Sequence, residues 1–169
     1  MGYVQVYTGN GKGKTTAALG LSLRAVCAGK KVVFIQFTKG MKYSELKANL
    51  FLPNFEIKQF GTNNFIFKET SKEDSDLAKQ GLDFAKKALK DEIYDVVVLD
   101  EVNIAIYYEL LKVEDVIAAI KERSENTEVI LTGRYAADEI IEFADLVTEM
   151  KEIKHYYTKG VPARVGIEK

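Results

Sequence analysis

Between Tyr7 and Gly20 the chain reads YTGNGKGKTTAALG. Gly9, Gly11 and Gly13 alternate with Asn10 and Lys12, and Lys14, Thr15 and Thr16 follow. Glycines so spaced let a backbone fold into a concave nest of N–H groups, which takes an anion. A helix starting near Thr15 turns its positive end toward the same anion. Lys14 has the reach to touch terminal phosphate oxygens, Lys12 adds a second cation, and the Thr15 hydroxyl is a ligand type that suits Mg²⁺. These residues complete the second half of the triphosphate-loop pattern G-x-x-x-x-G-K-[ST]. The first glycine of that pattern falls on Thr8, and glycine comes one place later. The shift leaves open how a triphosphate lies in the loop.

Other residues have types that such a site needs. Asp100 and Glu101 close the apolar run of VVVLDE, and an acidic pair at a strand end can hold a metal–triphosphate directly or through water. Arg134, in LTGR, is placed to meet phosphate with its planar fork or to lie solvated on the surface. Arg24 sits in an apolar helical stretch, from which it either reaches the nucleotide or extends to solvent. Phe65 and Phe67, in NNFIFKET, share a face if that stretch is extended. They either anchor a long loop or form an apolar wall for a large flat ligand. His155 is the sole histidine, which argues against a histidine metal site. Cys27, late in an Ala/Leu-rich helix, is expected to be a small buried hydrophobe.

Strands and helices must bring these groups together. YVQVYT, VVFIQF, FEIKQF (more exposed), DVVVLDE, EVILTGR and DLVTEM have strand patterns, the last expected in the core. Helical spacing covers residues 15–28, 74–90, 113–121 and 137–144, with Ser71 and Asp74 forming a capping box before the second. Alternating strands and helices imply an α/β fold, a mostly parallel sheet with helices on both faces. Ligands of such sheets bind at the carboxyl ends of the strands, where Thr8, Gln36, Asp100, Glu101 and Thr132–Arg134 fall.

Composition narrows the setting. At 169 residues, 47% apolar and 29% charged, the chain suits one globular domain over residues 1–169. A net charge of −1 argues against nucleic acid held by bulk charge. One cysteine excludes an internal disulfide framework and favours a reducing cytoplasm. No apolar run approaches membrane-spanning length and no signal-peptide pattern opens the chain.

In order, TGNGKGKTTAALG, QFTKG, FIFKET, VVVLDE, LTGR, DLVTEM and KHYYTKGVPARVGIE resemble the ATP:corrinoid adenosyltransferases of the CobA/BtuR type, over Tyr3 to about Glu168. Thr8 in place of glycine is that family's form of the loop. The resemblance implies a P-loop fold that binds ATP with Mg²⁺ (or Mn²⁺) and a reduced corrinoid, either cob(I)alamin or a cobyrinic acid derivative. Cobalt attacks the ribose C5′ and the whole triphosphate leaves, the nucleotide being reversed so that the loop cradles its γ end. It implies that residues 9–16 hold the triphosphate, with Lys14 catalytic. Thr15, Glu101 and Asp100 serve the metal, and Arg24 and Arg134 touch the nucleotide. Phe65 and Phe67 then pack on the corrin ring, displace the lower axial ligand and ease reduction of Co(II). Some members have tryptophan at the position of Phe67. Many carry a helical segment before the first strand, so a cover from another subunit or a more open site is expected here. A homodimer and a reduced flavoprotein electron donor are further implications. A small ATPase or kinase, and a corrinoid-binding protein without turnover, are the rival readings.

Overall fold

The structure is a computed structural model that describes residues 1–62 and 70–169. Phe65 and Phe67 lie outside the described residues. Among the described residues six strands form one sheet: β1 Val4–Thr8, β2 Val32–Phe37, β3 Phe55–Phe60, β4 Val96–Asp100, β5 Glu128–Thr132 and β6 Leu146–Glu149. Their order is β3-β2-β4-β5-β1-β6, and each neighbouring pair is parallel. The helices are α1 Lys14–Cys27, α2 Lys72–Lys90, α3 Val102–Tyr107, α4 Val113–Lys121 and α5 Asp138–Phe143. Short 3₁₀ turns cover Ser44–Leu50 and Tyr156–Lys159.

Side-chain alternation sorts the core into two layers. Val32, Phe34, Val96, Val98 and Ile130 pack with Ala18 and Ala25 of α1. Val33, Ile35, Phe37, Val97, Leu99, Val129 and Leu131 face the other way, onto Ala78, Leu82, Ala85 and Leu89 of α2, Val116 and Ile120 of α4 and Ile140 of α5. Helices on both faces explain why β2 and β4 are buried at every residue. The Ser71 hydroxyl accepts from the Asp74 N–H while the Asp74 carboxylate accepts from the Ser71 N–H, the reciprocal cap the sequence predicts. Among the described residues no helix is long and apolar enough to cross a membrane.

Two expectations are corrected. β6 is an edge strand with all four residues exposed, pairing among the described residues only with β1. Cys27 is exposed as well. It falls in the last turn of α1, off the stripe of Ala18, Ser22 and Ala25 that meets the sheet.

Candidate functional site

The turn after β1 begins one residue later than a four-spaced glycine pattern suggests. Thr8 is still strand, in register with Glu149, and its carbonyl accepts the Met150 N–H at 2.8 Å. It has no need of glycine's freedom. Gly9 makes the turn, with φ +92°. A Cβ at Gly11 would stand 2.7 Å from the Met150 carbonyl oxygen, which instead accepts the Gly11 N–H at 2.6 Å. The loop thus folds against Met150, just beyond β6, a support the sequence pattern did not reveal. Lys14 bends back across the loop and donates to the carbonyls of Gly9 and Gly11, both at 2.8 Å. Burial pulls its ammonium below the usual lysine range, a shift opposed by Glu101 and reinforced by Arg134.

The second wall follows from period-two alternation. Gln36, Asp100 and Thr132 each lie two residues beyond an α1-facing core residue, Phe34, Val98 or Ile130. All three are fully buried and meet where α1 begins. Asp100 Oδ1 accepts from the hydroxyls of Thr15 (2.8 Å) and Thr132 (2.6 Å). Asp100 Oδ2 accepts from Lys39 Nζ (2.7 Å) and Gln36 Nε2 (3.2 Å). Four donors on one carboxylate fix its direction. Lys39 was not among the residues the sequence singled out. Its Nζ also lies 3.2 Å from Thr15 Oγ1, and burial alone would lower its charge affinity. Asp100 and Glu101 outweigh that effect and raise it above the ordinary lysine value.

Each of the four central strands leaves the sheet through a left-handed residue close to its carboxyl end: Gly9 after β1, Thr38 after β2, Glu101 after β4 and Gly133 after β5. Thr38 and Glu101 do so at φ 56° and 59°, at a steric cost on the order of 1–2 kcal/mol each. Strain of this kind collects where backbone direction serves a site. At Glu101 it turns the side chain among Lys39, Lys14 and Arg134. Burial there raises the carboxyl above its ordinary range despite those cations.

Lys12, Lys14, Thr15, Lys39, Glu101 and the carboxyl-terminal residues 166–169 line a cavity of about 400 Å³. Ser44 Oγ donates to the Lys169 carbonyl at 3.0 Å, and Arg164 grips Glu168, so the tail forms a wall of the cavity. His155 lines the same space, with Nδ1 accepting the Tyr157 N–H. Arg134 is exposed yet close enough to act on the charges of both Lys14 and Glu101. Asn10, Lys12 and Thr16 are exposed on the loop. Arg24 is not brought to this group: it is exposed in the last turn of α1, and ten helical residues separate it from Lys14 by about 15 Å.

The donor set fits Mg²⁺. It offers one hydroxyl and two carboxylates, all hard oxygens, and Mg²⁺ takes one or two carboxylates beside phosphate and water rather than a full protein cage. Among the described residues no cluster of three or more His, Cys, Asp or Glu forms such a cage. The Lys39 ammonium already draws Asp100 and Thr15 oxygens around a positive charge.

Comparison with known proteins adds an independent line. The sequence profile described as ATP:corrinoid adenosyltransferase BtuR/CobO/CobP matches residues 1–168. The chain is 40% identical over 169 residues to the corrinoid adenosyltransferase of Escherichia coli (strain K12), covering 99% of this chain and 85% of that one. It is 38% identical over 168 residues to the corrinoid adenosyltransferase CobA of Salmonella typhimurium (strain LT2), with coverage of 99% and 85%. Among solved structures it is similar to the flagellar accessory protein FlaH of Methanocaldococcus jannaschii. The TM-score is 0.57, with 13% identity over 87% of this chain and 70% of that one, a likeness of fold alone.

Proposed function

The chain belongs to the ATP:corrinoid adenosyltransferase family, and on that premise we propose that it moves the 5′-deoxyadenosyl group of ATP onto a reduced corrinoid. The acceptor is cob(I)alamin or a cobyrinic acid derivative. The Co(I) electron pair forms a Co–C5′ bond, and the C5′–O bond breaks with its bonding pair leaving on inorganic triphosphate.

The observation that carries this reading is where the charge sits. Lys12, Lys14 and Lys39, the cations a leaving polyphosphate requires, line the cavity together with Gly13, Thr15 and Thr16. Co(I) is a strong nucleophile and needs no general base. The protein's work is alignment of C5′ and stabilisation of the departing charge. Lys14 exchanges its two carbonyl contacts for phosphate oxygens when triphosphate enters. Thr15, Asp100 and Glu101 hold Mg²⁺ (or Mn²⁺), which neutralises part of the triphosphate charge when bound. Residues 9–16 cradle the γ end, and Arg134 approaches the same anion from the β5 end. Arg24, at the far end of α1, meets nucleotide only if the ligand extends along that helix or comes from a second subunit. Phe65 and Phe67 supply the corrin-facing wall and displace the lower axial ligand. A homodimer and a reduced flavoprotein electron donor in the cytoplasm belong to the same proposal.

Anaerobic incubation with ATP, Mg²⁺ and chemically reduced cobalamin tests the proposal. The expected result is a light-sensitive alkylcobalamin spectrum with one triphosphate per Co–C bond. ADP or orthophosphate instead would favour an ATPase or kinase, and stoichiometric corrinoid binding without a new bond would favour a carrier.

A further inference from the structure

Lys39 stands where the metal reading needs a divalent ion. Its Nζ is 2.7 Å from Asp100 Oδ2 and 3.2 Å from Thr15 Oγ1, and the Thr15 hydroxyl is itself turned onto Asp100 Oδ1 at 2.8 Å. Two atoms that would face a metal are therefore already engaged, one by an ammonium and one by its neighbour. The placement is built into the chain. The left-handed turn at Thr38 swings residue 39 back toward the sheet edge. A Cβ on Gly61 would stand only 2.3 Å from the Lys39 N, so the β3 end is pressed against that turn. The Lys39 ammonium also lies 5.4 Å from the centre of the Tyr43 ring, and Glu45, Asp100 and Glu101 all act on its charge. Its side chain is 14% exposed, and it borders the cavity beside Lys12 and Lys14.

We infer that Lys39 is an internal stand-in cation, which holds the Thr15–Asp100 oxygens in register in the empty site and moves onto the polyphosphate when a divalent ion displaces it. The inference rests on the proposed metal role of Thr15, Asp100 and Glu101. The physical sense is a charge exchange. In the empty site Lys39 keeps the buried Asp100 from standing unpaired. A divalent ion arriving alone must evict that ammonium, which then has no anion to go to. A metal arriving with polyphosphate offers the ammonium a new partner, four methylenes away from a fixed Cα. Lys39 thereby couples metal binding to polyphosphate binding, and by linkage the coupling acts equally in both directions. It also adds a third lysine charge to the leaving group, and only in the loaded site.

The test compares wild type, Lys39→Met and Lys39→Arg, using Mn²⁺ alone (electron paramagnetic resonance) and inorganic tripolyphosphate with and without Mn²⁺ (calorimetry). Lys39→Met is expected to bind Mn²⁺ alone about tenfold more tightly than wild type. It should bind tripolyphosphate less tightly and lose most of the mutual enhancement between the two ligands. Lys39→Arg should bind Mn²⁺ alone as weakly as wild type. Where Lys39→Met unfolds without metal, recovery of its far-ultraviolet circular dichroism on adding Mn²⁺ alone is the supporting result. Continued unfolding moves the same measurements to Lys39→Gln. Equal Mn²⁺ affinity in wild type and the neutral variant would overturn the inference and leave Lys39 a static ion-pair residue. Failure of the metal reading itself looks different: Thr15→Val would then leave Mn²⁺ binding in the presence of tripolyphosphate unchanged.

Discussion

Adding one methyl group to Gly11 isolates the support beneath the phosphate loop. Gly11 does not adopt positive φ, so alanine brings no backbone strain of its own. The conflict is contact. The new Cβ would meet the Met150 carbonyl oxygen at 2.7 Å and the Met150 and Lys151 carbonyl carbons at 2.9 Å. Ordinary contacts start near 3.4 Å, so loop and post-β6 segment must part by several tenths of an ångström. The 2.6 Å Gly11 N–H bond to Met150 stretches with them. Overpacking of this kind costs about 1–3 kcal/mol. For a chain of this length each kilocalorie lowers Tm by about 2–4 °C. The N–H groups of the nest shift too, and misplacement on the scale of 1 Å can cost about a hundredfold in rate. Gly20→Ala is the control. Gly20 lies mid-α1, and its added Cβ meets nothing within 4 Å. Alanine there should stabilise by about 0.5–1 kcal/mol. Differential scanning calorimetry and Mg²⁺–tripolyphosphate titration read both variants. A Gly11→Ala protein with wild-type Tm and affinity within twofold of wild type would refute the idea that the loop rests on Met150.

Asp100→Asn should destabilise the unliganded protein by about 3 kcal/mol or more, because Lys39 loses its buried partner; a urea midpoint giving under about 1 kcal/mol would show that the network reorganises freely. Tyr94 donates to Glu56, and burial first, then that carboxylate, push its hydroxyl up to about 12 from 10.0. A raised folded value means stability intact below pH 10 and lost as pH climbs from 10 toward 12, so Tyr94→Phe should flatten that part of the Tm–pH curve. Phe67→Ala should slow adenosylation that starts from Co(II) more than adenosylation that starts from pre-reduced Co(I), and equal losses in the two assays would remove its proposed part in reduction.

The fold was legible because its signals are local. Four buried runs bounded by helical patterns gave the parallel sheet, and Ser71 with Asp74 marked the start of α2. LVTE has the composition of a core strand, and only strand order shows that β6 is an edge. Composition does not place Cys27, because an Ala/Leu-rich helix has apolar residues off its buried stripe as well as on it. Of the site, the loop and the acidic pair were plain. Lys39 was not, since TKG after a strand resembles any solvated turn. What places it is a left-handed threonine, a conformation that propensity argues against. Gln36 and Thr132 stand with Asp100 at the carboxyl edge in the sequence too, and side-chain alternation puts all three on the α1 face.

Those left-handed exits explain why the site needs so deep a sheet behind it. Of those exits, Thr38 and Glu101 hold positive φ without being glycine. At about 1–2 kcal/mol apiece they spend several kilocalories of a stability that is about 5–15 kcal/mol in total. Loops alone would relax out of such geometry. Here each exit is tied back to a neighbouring strand. Thr38 donates its N–H to the Phe60 carbonyl at 3.1 Å, and Glu101 donates its N–H to Thr132 Oγ1 at 3.0 Å. The same Thr132 hydroxyl donates to Asp100, so the turn that aims Glu101 and the carboxylate that receives Thr15 share one atom. Relaxing that turn means breaking the Glu101 N–H bond to the hydroxyl that also holds Asp100. The strain is held by the polar network it creates, and the aim of the two acidic side chains is thereby a property of the sheet rather than of the loops that follow it.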